Sequence, residues 1–106
     1  MSRLIEDLIG VPWTELNCHA LTTAACARFG RRVPDLGEDI ECELVELGDE
    51  QPGDCVLTGS ADAVTGVAAV VAPGMLLHTS ETSQHSRCVR IRWVTGIVEI
   101  RRPPEC

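Results

Sequence analysis

The spacing of hydrophobic and polar positions changes along this chain, and each change marks an element. Near the N-terminus Leu4, Ile5, Leu8 and Ile9 recur at helical spacing and Gly10 closes the run, which predicts a short helix over 4–10. V-P-W-T-E-L follows as an irregular link, because Pro12 disfavours helix at Val11. Asn17 is a good N-cap for a helix running to about Phe29, in which Cys18, Leu21, Ala25 and Phe29 share one stripe. Gly30 suits a left-handed C-cap, and Arg28, Arg31 and Arg32 complement the negative helix end.

Beyond residue 50 the period shortens to two. The acidic stretch 35–50 predicts loop with some short structure, and Q-P-G-D (51–54) predicts a tight turn. C-V-L-T (55–58) and the nearly continuous apolar run A-V-T-G-V-A-A-V-V (63–71) read as strands. A-P-G ends that run, and M-L-L-H-T (75–79) returns as the second arm of a hairpin. In R-C-V-R-I-R-W-V (87–94) Val89, Ile91 and Trp93 alternate with Cys88, Arg90 and Arg92, and T-G then turns the chain into I-V-E-I-R (97–101). The expected fold is α+β. N-terminal helices, the central one starting near Cys18, pack on one face of an antiparallel sheet of four to five strands, as a single domain over 1–106.

Composition narrows the function. A chain of 106 residues can bury one modest core. A net charge of −7 opposes binding to nucleic acid, which needs a basic footprint. No apolar run approaches the roughly 20 residues of a membrane span. The N-terminus lacks the continuous apolar stretch of a signal peptide, so synthesis and folding in the cytoplasm are expected. Charge is unevenly spread: eight of the sixteen acids lie in 35–50, and five of the nine bases, all Arg, lie in 87–102. Either these are two solvated faces that attract each other weakly within the fold, or one of them docks a partner of opposite charge.

Six cysteines, at 18, 26, 42, 55, 88 and 106, show no C-x-x-C and no regular spacing, which favours reduced thiols over a disulfide framework. The nearest approach to a zinc site, H-S-R-C (85–88) with Cys18-His19 far away, is a weak one, and no cofactor or metal is expected. Cys26, Cys42 and Cys55 read as small apolar fillers.

Cys18 is the chemical candidate. In the first turn of a helix, unpaired N–H groups and the positive dipole end favour a thiolate. A thiolate nucleophile also needs a base nearby, usually His, and a group that orients it. His19 follows Cys18 on the helix and points about 100° away, and His85 sits in the polar loop T-S-Q-H-S. His78 ends an apolar strand, where it can be held firmly, as a structural or a catalytic residue.

The order of landmarks resembles the NlpC-type cell-wall cysteine peptidases, a papain-like superfamily that cleaves peptidoglycan stem peptides. The corresponding stretches are G-V-P-W (10–13), N-C-H-A-L (17–21), G-R-R-V-P (30–34), Q-P-G-D (51–54), T-G-V-A (65–68) and M-L-L-H (75–78). The closing R-C-V-R-I-R-W…R-R-P resembles the end of short versions encoded in phage tail gene clusters. The resemblance implies that Cys18 is the nucleophile, that His78 orients the catalytic imidazole, and that Trp13 lines the substrate groove beside Asn17. The catalytic His of the family falls at Val64 or Thr65, and neither can accept a proton from a thiol. Two functions follow as expectations. One is a phage or prophage tail-tip or hub component, degenerate in catalysis, made in the bacterial cytoplasm and docked to other tail or hub proteins in the virion tail. The other is an active endopeptidase or amidase cutting peptidoglycan through Cys18 and His78.

Overall fold

The computed structural model describes residues 3–34, 42–60 and 62–105. Residues 35–41 of the acidic stretch, with Cys106, lie outside that set. The chain opens with a 3-10 helix, Arg3–Leu8, where the apolar spacing predicts helix; its turns are tighter than α. Helix α1 spans Cys18–Arg28, with Phe29 as its C-cap and Gly30 at φ 76°. Strands β1 (Glu43–Val45), β2 (Cys55–Ser60), β3 (Ala63–Ala72), β4 (Met75–His78) and β5 (Arg87–Arg90) follow. A 3-10 turn, Ile91–Trp93, then leads to β6 (Ile97–Arg102).

The strands form one antiparallel sheet in the order β1-β6-β2-β3-β4-β5, six strands where the pattern predicted four or five. The extra strand is β1, whose exposed Glu43 and Leu44 leave no alternation to read. A second difference lies at 87–94. The predicted continuous strand stops at Arg90, because the Ile91 N–H bonds the Gly74 carbonyl (2.9 Å) and the Val94 N–H bonds the Ile91 carbonyl (3.1 Å). Ile91 is buried by this turn, whereas Trp93 stays 69% exposed.

Each face of the sheet carries its own apolar cluster. On one side α1 lays Leu21, Ala25 and Cys26 over Cys55, Val67, Ala69, Val71 and Leu77, with Ile5 and Leu8 of the N-terminal 3-10 helix; Cys18, Met75 and Cys88 pack at its margin. On the other side Val56, Ala68, Val70, Leu76 and Ile100 close with Ile91. Fully burying side chains of this size stabilises by roughly 1.5–3 kcal/mol each. The Q-P-G-D turn presses on the end of α1: Gly53 has φ 98°, and a Cβ there would come 2.8 Å from Cγ of Arg31. Asp54, buried at the end of that turn, takes a bidentate bond from Arg102 (2.9 and 3.0 Å) and the Gln51 N–H (2.8 Å). Among the described residues no helix is long and apolar enough to cross a membrane.

Candidate functional site

The site is built from the start of α1 outward. Asn17 takes extended backbone angles and its Oδ1 accepts the Ala20 N–H (2.9 Å), so its side chain is engaged in capping. Cys18 follows as the first helical residue, half-buried at the margin of the helix-side cluster. One turn on, Thr22 is buried, and its hydroxyl, like that of buried Thr79 after β4, has no hydrogen-bond partner. All five described cysteines are free thiols. Burial pushes Cys26 and Cys88 up, and pushes Cys55 up to about 11, with Cys42 adding to the effect at Cys55. These three are poor thiolates for a physical reason: the apolar core penalises the charged form.

Trp13 is set by a clasp between residues 10–13 and 84–86. The Trp13 N–H donates to the Gln84 carbonyl (2.7 Å), Gly10 N–H to the Ser86 carbonyl (2.9 Å), and Ser86 N–H to the Val11 carbonyl (2.9 Å). The buried Ser86 hydroxyl donates to the Leu8 carbonyl (2.5 Å) and accepts the Val11 N–H (2.9 Å). Gln84 holds φ 64°, the single positive φ outside glycine among the described residues. Pro12, Trp13, Thr14, Glu81, Gln84 and His85 line a cleft of about 410 Å³ along this clasp. His85, exposed as its polar loop suggested, is thus a wall of the cleft that holds Trp13. Ser86 and Gln84 carry no signal in T-S-Q-H-S that distinguishes them from solvated loop residues.

His78 lies elsewhere. Met75 and Leu77 belong to the helix-side cluster and Leu76 to the opposite one, so strand alternation puts His78 with Leu76, on the face that α1 does not cover. The cross-strand pairs agree: Leu76 sits opposite Val89, and His78 opposite Arg87. At the β5 edge His78 lines a cleft of about 540 Å³ with Met75, Arg87, Cys88, Val89, Arg90, Trp93 and Val94. Half-burial lowers its pKa below the ordinary value, and the Arg87 charge lowers it further. Alternation therefore turns this imidazole away from the face that α1 covers.

Strand β3, which packs on α1, offers another seat. Thr58 pairs with Gly66 but Gly59 pairs with Val64, so Thr65 is a bulged residue. Leu57 and Val67 are partners on the helix side, and the bulge brings the Gly59–Val64 pair back to that side. Gly59, at φ 143°, is needed there because a Cβ would strike the Ala63 carbonyl oxygen. Val64 is 54% exposed, an open position with no proton acceptor. Among the described residues no three His, Cys, Asp or Glu side chains converge as metal ligands would.

Comparison with known proteins bears on the fold. No protein-family model matches the chain, and no curated protein does. Solved structures do match. NlpC2 from Trichomonas vaginalis superposes with a TM-score of 0.71 at 20% identity, over 94% of this chain and 43% of that one. NlpC1 from the same organism gives 0.72 at 19% identity, over 94% and 41%. An NlpC/P60 family protein from Bacillus cereus ATCC 10987 gives 0.70 at 19% identity, over 91% and 36%. This chain spans less than half the length of each. Its fold is the NlpC/P60 type, as the landmark order implied.

Proposed function

We propose that this NlpC/P60-type domain serves a phage or prophage tail tip or hub by docking to other tail proteins, and that it has lost the hydrolytic chemistry its fold can house. A fold alone does not carry a function, so the reading rests on the site. The observation that carries it is the division of the candidate pair: Cys18 lies on the helix side of the sheet, His78 on the other. The seat on the helix side of β3 holds Val64, which cannot take the thiol proton. General-base assistance is worth roughly 10²–10⁴ in rate, so a Cys18 without an imidazole partner leaves little turnover. The tail assignment is supported by the likeness of the Arg-rich closing segment to short phage-tail forms, and it places the protein in the virion tail after synthesis in the bacterial cytoplasm.

The test uses peptidoglycan stem peptides incubated with the wild-type chain and with Cys18→Ala and His78→Ala, products being read by mass spectrometry. No cleavage in any sample is the expected result. Cleavage abolished by both substitutions would overturn the proposal and establish the alternative, an endopeptidase or amidase acting through Cys18 and His78.

A further inference from the structure

Seven of the described arginines fall into two groups. Arg28 pairs with Asp7, Arg101 with Glu99 and Arg102 with Asp54, and Arg31 bonds the Pro103 carbonyl (3.2 Å). Arg87, Arg90 and Arg92 are exposed and make no ion pair among the described residues. All three lie on β5 or the turn after it. Arg87 and Arg90 line the cleft at this edge together with Met75, His78, Cys88 and Val89, and Arg90 stands 5.5 Å from the centroid of the Trp93 ring. A cationic rim thus surrounds an apolar cleft beside a large exposed aromatic, at one edge of the sheet.

The opposite edge is its chemical complement. On β1 and the turn after it, Glu43, Glu46 and Asp49 are exposed, with Leu44 66% and Leu47 67% exposed between them. Neither Glu43 nor Glu46 has an ion-pair partner among the described residues, although Glu43 and Asp49 lie close enough to Arg102 to raise its pKa. Strand order puts β1 and β5 at the two ends of the sheet. Five strand spacings of about 4.8 Å separate them, roughly 24 Å. That is about three Debye lengths at physiological salt, too far for the two patches to satisfy each other within one chain.

We infer that the Arg-lined cleft at β5 receives the acidic β1 edge of a second copy of this chain. Glu43 and Glu46 of one copy meet Arg87 and Arg90 of the next, and Leu44 and Leu47 cover Trp93 and the cleft. The two patches differ, so the contact is heterologous: every copy that joins leaves one patch of each kind free, and the association extends into a ring or an open chain. Exposed ion pairs contribute little each, so the apolar contacts carry much of the affinity and the charges set the register. The net charge of −7 on each copy opposes association. Added salt screens that repulsion together with the local attraction, so salt dependence alone does not discriminate; charge reversal does. The inference goes beyond the docking role proposed above and does not depend on the state of Cys18.

Sedimentation velocity of the full chain over micromolar to submillimolar concentrations is the test. The wild-type weight-average mass is expected to rise with concentration past that of a dimer. Arg87→Glu/Arg90→Glu and Glu43→Arg/Glu46→Arg, whose sites are exposed and whose folding circular dichroism checks, are each expected to stay monomeric. An equimolar mixture of the two is expected to associate again, because each variant keeps the patch that the other lacks. A wild-type chain that stays monomeric throughout would overturn the inference. So would variants that associate as the wild type does, or a mixture of two folded variants that does not associate. Binding of an acidic peptide by a chain that remains monomeric would assign the cleft to another partner and equally overturn it.

Discussion

One face of the sheet is a sulfur face and the other is a charged one. Between α1 and the sheet lie Cys26 of the helix and Cys55 of β2, in an apolar setting that keeps these buried thiols protonated, with Cys18 and Cys88 at the margin. On the far side are His78 and Arg87, and two residues beyond Ile100 in the same strand comes Arg102, bound to buried Asp54. The two groups that a thiol hydrolase must bring together are sorted onto different sides by nothing more than the two-residue period of a strand. Sharing a fold with NlpC/P60 proteins therefore leaves the chemistry of this chain to be decided by which side each residue takes.

The sharpest way to perturb the charged face is at Arg102. Arg102→Met removes both bonds to Asp54 and leaves a carboxylate buried with only the Gln51 N–H, at an expected cost of about 3–5 kcal/mol in urea denaturation. Asp54→Asn in the same chain should return part of that loss, since the uncompensated charge is then gone. A cost below about 1 kcal/mol for Arg102→Met, the level of an exposed pair, would show that water reaches Asp54 and that this face is not sealed.

Next in size is a paired truncation across the sheet. Leu76 and Leu77 are adjacent and both fully buried, yet belong to opposite clusters. Leu76→Ala and Leu77→Ala should each cost about 2–5 kcal/mol, because each leaves a cavity in a packed cluster. A near-neutral Leu76→Ala would mean that the face opposite α1 is a covered surface and no core at all.

A smaller effect comes from pH. The folded-state pKa of His78 is lowered from 6.5, first by burial and then by Arg87. Above 6.5 the imidazole is neutral whether the chain is folded or not, and the group is without effect. As pH falls below 6.5 the unfolded chain takes up the proton first, so stability drops until the folded pKa is passed. Thermal melts from pH 7.5 downward should show this loss, and His78→Gln should remove that part of it. An unchanged acid limb in His78→Gln would place the imidazole in free solvent.

What the sequence reveals follows the same division. The helix at Cys18 was legible because its signals are local: Asn17 caps it, the apolar stripe runs along it, and Gly30 ends it. The side of the sheet that His78 takes was not. In M-L-L-H the residues before the histidine are all apolar and pack on both faces, so the strand shows no alternation, and a slip of one residue reverses every side chain. Trp93 was misplaced for a related reason: R-C-V-R-I-R-W alternates cleanly, but the Gly74 carbonyl takes the Ile91 N–H and turns the chain out of the sheet. The separation of acids from arginines was plain in the sequence. Its expression as opposite sheet edges depended on β6 entering between β1 and β2.

The smallest expected effect tests the comparison most directly. Alkylation of Cys18 by iodoacetamide, followed across pH by mass spectrometry of the Cys18 peptide, reports how its surroundings influence the thiolate. If the sheet separates thiol from imidazole, His78→Ala should leave that profile within about twofold, because a group across the sheet can neither accept the thiol proton nor orient a base that does. Val64→His supplies the contrast: the bulge at Thr65 turns this position to the helix side, and an imidazole there should raise the alkylation rate near neutral pH severalfold. A profile changed by His78→Ala and untouched by Val64→His would reverse the assignment of faces, and the reading of the site with it. A profile changed only by Val64→His would show that an imidazole at position 64 is enough to activate Cys18.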